Sequence, residues 1–160
     1  MSDTVPRAVG AATPSYGRAW LVRETLRSGT LAGLAMIPFA AVFRARGLRI
    51  NEYGRKTLEL VVGDVPPGLH DVLTLVQHVV ISWILAVPFL LVVRGVRDRG
   101  RAALLGAAYG AAMYLLLNAW ALPVAFGDPT PWQLGFDTVY PSLVVHLVYG
   151  TALGWLASKR

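Results

Sequence analysis

Four long apolar runs, at about residues 26–43, 69–93, 102–126 and 141–157, divide the chain into spans and links. A helix needs roughly 20 mostly apolar residues to cross a bilayer. The last three runs come close to that length or exceed it, and Trp20 and Leu21 extend the first at its interface. The borders are sharp. Arg23, Glu24 and Arg27 precede the first run, and Arg44 and Arg46 follow it. The pattern predicts an all-α integral membrane four-helix bundle over residues 19–160. Residues 1–18, polar and rich in Pro, Gly and Ala, lack the charged start, apolar run and cleavage site of a signal peptide and read as a flexible cytoplasmic tail.

The links differ in character. Residues 44–68 form the longest. Within it, residues 51–62 mix charges with an apolar end, as a short interfacial helix does, and the Pro66-Pro67-Gly68 cluster ends it. Residues 94–101 are short and strongly basic. Residues 127–140 have no basic side chain but hold Asp128, Pro129, Pro131, Trp132 and Asp137.

Composition sharpens this reading. Hydrophobic residues make up 55% of the chain and charged residues 15%, against about 25% charged in a soluble domain. The lack of cysteine excludes disulfides, thiol catalysis and cysteine-held zinc or iron–sulfur clusters. The net charge of +6 comes mostly from arginines that flank the spans, so it points to topology and not to nucleic acid. With the N-terminus inside, ten Lys and Arg lie on the inner side and five on the outer. Both termini are therefore expected in the cytoplasm. Trp20 and Trp155 then fall in an inner aromatic belt, and Trp132 and Tyr140 in an outer one.

Small-residue pairs recur at four-residue spacing: Gly29 and Gly33, Gly106 and Gly110, Gly150 and Gly154. Such pairs let helix backbones approach closely. In spans this apolar they are expected to pack within the bundle, with homo-oligomerisation as the less favoured use. Each half of the chain has a glycine-paired span with a late proline (Pro38, Pro123). A span with one membrane-depth histidine follows it, as a parallel internal duplication would leave.

Depth singles out candidate chemistry. At about 1.5 Å per residue, His78 lies roughly 9–14 Å below the outer end of its span, His146 about 8 Å and Asn118 roughly 9–12 Å. Gln77 is adjacent, and Ser82 and Tyr149 lie a turn deeper. Polar groups in hydrocarbon need partners, so mutual hydrogen bonding is one expectation. Contact with a ligand is the other, because intramembrane ionisable groups are site candidates. Bis-histidine ligation of b-type haem by His78 and His146 is one version; a quinone, proton or small-molecule site is another. No acidic residue lies within the four runs except Asp71 at the mouth of the second, so a dedicated metal site is not expected. His70 and Asp71 read as a helix-start pair. No nucleophile–base pair, phosphate loop or paired carboxylates appear, so no catalytic residue is assigned.

The stretch from Val145 to Gly154 resembles the closing His-x-x-Tyr-Gly-x-x-x-Gly helix of small bacterial YagU-like inner-membrane proteins. Gly106 to Gly110 with Leu122-Pro123, and Gly33 to Pro38, are similar to the corresponding parts. The resemblance implies a multi-pass protein of the bacterial cytoplasmic membrane, with His146, Tyr149, Gly150 and Gly154 as pattern residues, and implies no activity. Together these readings point to a non-enzymatic membrane protein with a small polar site in the outer leaflet, used for transport, sensing or ligand binding. A haem-binding redox subunit and an accessory subunit packed on a larger membrane complex are the alternatives.

Overall fold

A computed structural model of the protein describes residues 17–51 and 53–158. The tail over residues 1–16, Glu52 within the interfacial segment, and the terminal Lys159 and Arg160 lie outside the described residues. The described residues hold helices and no strand.

Four helices are long and apolar enough to cross a membrane: α1 (Arg18–Ala45), α3 (Pro67–Val93), α4 (Arg99–Phe126) and α6 (Phe136–Ala157). The protein is thus a multi-pass membrane protein by architecture. Two short helices complete it, α2 (Tyr53–Val62) in the long link and α5 (Pro131–Leu134) in the third. The helices outrun the apolar stretches that announced them. α1 begins at Arg18, well ahead of the first apolar run, and α6 begins at Phe136, which puts Pro141 inside the helix. Polar residues at helix ends do not weaken a helix, because long side chains carry their charges to the interface.

Glu24, ahead of the first apolar run, lies inside α1, only 1% exposed. Arg27 donates to its Oε2 from Nε and Nη2, the latter at 2.7 Å, and the Ser28 hydroxyl donates at 3.0 Å. A buried carboxylate survives when it is paired and hydrogen-bonded. Arg27 Nη2 also donates to the Leu156 carbonyl at 3.0 Å, which ties α1 to the last turn of α6.

The closest interface joins α4 and α6, which run antiparallel. A Cβ built on Gly106 or Gly110 would overlap the carbonyls of Gly150 and His146; one on Gly150 or Gly154 would overlap those of Gly106 and Ala102. Backbone therefore lies on backbone along this seam. α1 meets α3 through Gly29, against Trp83 and Ala86, and through Gly33, against Ser82. Trp83 Nε1 donates to Thr30 Oγ1 at 2.8 Å across this second interface. All six glycines flagged by spacing thus face another helix of the same chain. α6 packs between α1 and α4. Ala32, Ala86, Phe89, Leu90, Val93, Ala102, Tyr149 and Leu153 form the buried core.

The two ends of the bundle differ. One gathers the start of α1, the 94–98 link and the end of α6, and is here called the basic end. The other holds α2 and α5 and is called the linker end. There Tyr53 packs on Phe126 with ring centroids 5.6 Å apart, Lys56 pairs with Asp128, and Phe43 meets Tyr140 edge-on. α2 leaves Leu60 and Val61 more than three-quarters exposed beside Arg55 and Lys56, the two-sided character of an interfacial helix.

Candidate functional site

The histidines occupy two different seams. In the α1–α3 seam, His78 Nε2–H donates to the Gly33 carbonyl at 3.0 Å. Ser82, one turn on, returns its hydroxyl to the His78 carbonyl at 2.8 Å. In the α4–α6 seam, His146 lies 2.9 Å from Asn118 Nδ2 through Nε2, and 2.7 Å from the Ser142 carbonyl through Nδ1. An amide nitrogen only donates and a carbonyl only accepts. The ring is therefore the neutral tautomer with its proton on Nδ1. No hydrogen bond joins the two imidazoles.

This arrangement bears on haem. An axial ligand needs a ring nitrogen without a proton. In His146 that nitrogen is Nε2, which Asn118 holds. In His78, Nε2 is turned to Gly33. Ligation through His146 Nε2 would require breaking the Asn118 contact, whereas in His78 the nitrogen without a proton is Nδ1, which the Gly33 bond leaves free.

The remaining flagged residues divide the same way. Tyr149 donates its hydroxyl to the Ser82 carbonyl at 2.7 Å and so links α6 to α3 below the histidines. Gln77 stands apart from the layer, with its Oε1 within 3.6 Å of the position a Cβ on Gly54 of α2 would take. His70 sits in the first turns of α3 in a cleft with Glu59, Asp64 and Asp71. Among the described residues no three His, Asp or Glu side chains form a metal-binding group.

The α4–α6 seam has partners the sequence reading did not name. Asn51, just before α2, donates its backbone N–H to Ser142 Oγ at 3.1 Å and its side-chain Nδ2 to the Asn118 carbonyl at 3.3 Å. The linker thus closes over the pair. The reason the Asn118 carbonyl can accept lies in the helix. Tyr114–Ala121 is π-helical, and Leu122 N–H bonds the Leu117 carbonyl. In that register the Asn118 carbonyl would pair with residue 123, a proline with no N–H. The orphaned acceptor is supplied from the linker instead.

Tyr114 opens the same π segment. It is 0% exposed, and its hydroxyl has no hydrogen-bond partner. Its ring lies 5.6 Å from the His146 ring and 6.5 Å from Trp132. At the rim, burial first and the Asp128 carboxylate second push the Tyr53 phenol above its ordinary pKa.

Comparison with family models, with curated proteins and with solved structures finds no match.

Proposed function

We propose that this is a non-enzymatic protein of a bacterial cytoplasmic membrane, with both termini in the cytoplasm. Its function is to bind a small polar ligand in the layer formed by Tyr114, Asn118 and His146, for transport or sensing. The orientation follows from the Lys and Arg count, seven at the basic end and five at the linker end among the described residues. The assignment to a bacterial membrane follows from the YagU-like motifs.

One observation carries the ligand reading. The Tyr114 hydroxyl is fully buried and unpaired, and such a group costs about 1–3 kcal/mol. The polar side chains singled out by depth, Gln77 excepted, all make hydrogen bonds, so the bundle needs their polarity for packing. It does not need that of Tyr114, where phenylalanine would fill the same space at lower cost. A polar atom brought by a ligand would accept from this hydroxyl and stack beside His146. The π-helical register over Tyr114–Ala121 supports the reading, since π-helical departures inside α-helices are frequent at functional sites.

A thermal-unfolding screen of the purified full chain in micelles, against small amines, quinones, sugars and carboxylates, tests it. Tyr114→Phe without ligand should keep or raise the melting temperature. A compound present at 100 times its Kd should stabilise the native chain by about 2.7 kcal/mol and lose most of that effect in Tyr114→Phe. A lower melting temperature for the variant alone, or equal ligand shifts in both proteins, would overturn the proposal.

A further inference from the structure

α1 and α6 leave an apolar groove of about 520 Å³ between them. Leu31 and Ala35 form one wall, and Val144, Val148, Thr151 and Trp155 are on the other. From Val144 to Leu156 the groove covers twelve residue steps, roughly 18 Å of helix. That is close to the roughly 15 Å hydrocarbon depth of one leaflet.

Its mouth lies at the basic end and is bracketed by two guanidinium groups. Arg99 stands over the Trp155 ring, 5.7 Å from its centroid. Arg27 bonds the carbonyl of Leu156, the groove's last residue. The bonds of Arg27 run through Nε and Nη2, and a third of its side chain is exposed. Arg23, one turn earlier on α1, is 60% exposed. The acidic residues nearby are already engaged: Glu24 holds Arg27, and Asp98 caps the Arg101 N–H at 2.7 Å. Among the described residues this end has seven arginines (18, 23, 27, 94, 97, 99, 101) against these two carboxylates.

We propose that this groove is a site for one anionic phospholipid. An acyl chain lies along Leu31, Ala35, Val148 and Thr151, and the phosphate sits between Arg27 and Arg99. This is more than general attraction of basic links to an anionic surface, because it names one groove and one headgroup position. It does not depend on the polar layer, which lies toward the other end of the bundle.

Native mass spectrometry of the full chain in detergent tests the site, with phosphatidylglycerol, phosphatidylcholine of the same acyl chains, and inorganic phosphate as probes. The expected result is a monomer that retains one phosphatidylglycerol and at least fivefold less phosphatidylcholine, with no retained phosphate. Arg99 is exposed, so Arg99→Gln should leave helix content unchanged and lower phosphatidylglycerol occupancy about fivefold, the worth of one basic residue near an anionic surface. Leu31→Trp, at a site 47% exposed, fills the groove without straining the core and should reduce both lipids. Equal retention of the two lipids, or an Arg99→Gln variant with native preference, overturns the proposal. So does a lipid-free dimer that Leu31→Trp dissolves, which would give the groove to a second copy.

Discussion

Asn118 holds three pieces of the molecule together. Its side chain donates to His146, its carbonyl accepts from Asn51, and its backbone lies in the π segment that exposes that carbonyl. Asn118→Leu keeps the branched shape and removes the donor to Nε2. Interhelical bonds of this kind are worth about 0.6–2 kcal/mol, so a loss in that range is expected from chemical unfolding in micelles, and no loss would show that the contact is idle. Depth along the apolar runs was enough to flag Asn118 and His146. It was not enough to flag Asn51, which lies outside every run. Its one trace in the sequence is Pro123, five residues after Asn118, and that clue has meaning only once the helix is known to widen there. Tyr114 is similar: an aromatic at a packing position reads as core until its hydroxyl is seen to lack a partner.

At the scale of elements, the glycine pairs were legible and their partners were not. A four-residue spacing says that a backbone will come close, but not which one. The structure pairs α4 with α6, glycine on glycine, and α1 with α3, glycine on Ser82, Trp83 and Ala86. In each half the histidine of the later helix bonds the earlier helix, but in opposite senses: His78 donates to the Gly33 carbonyl, and His146 accepts from the Asn118 side chain. The α4–α6 seam is the tighter of the two, and it gives a comparison within one protein. Gly150→Ala drives a Cβ into the Gly106 carbonyl, where neither backbone can yield, while a Cβ at Gly68 meets nothing within 4 Å. Overpacking costs about 1–3 kcal/mol in cores where side chains can move. Gly150→Ala should therefore lose at least that much in unfolding measurements, and Gly68→Ala should be neutral or slightly stabilising. Equal effects would mean that the seam is looser than it stands.

For the whole molecule, sidedness decides what the polar layer and the lipid groove can do. Helix count and order were readable because hydrocarbon imposes length and apolarity on each span. Helix ends were less readable, since Arg18, Arg23 and Phe136 are as compatible with a helix terminus as with a link. The helices bring the basic residues at the start of α1, the end of α3 and the start of α4 to one end, where Arg27 meets Leu156 and Arg99 meets Trp155. Five Lys and Arg remain at the other end. Two of these are paired, Arg55 with Glu59 and Lys56 with Asp128, but orientation follows the number of Lys and Arg and responds little to acidic neighbours. The basic end should therefore face the cytoplasm. The chain has no cysteine, so single introduced cysteines report position without background. Gly95→Cys falls in the basic link with open space around it, and Asp64→Cys falls in the exposed turn after α2. On intact cells a membrane-impermeant maleimide should label Asp64→Cys and spare Gly95→Cys until the cells are opened. The reverse pattern would place His146 and Asn118 nearer the cytoplasm and move the phospholipid groove to the opposite leaflet.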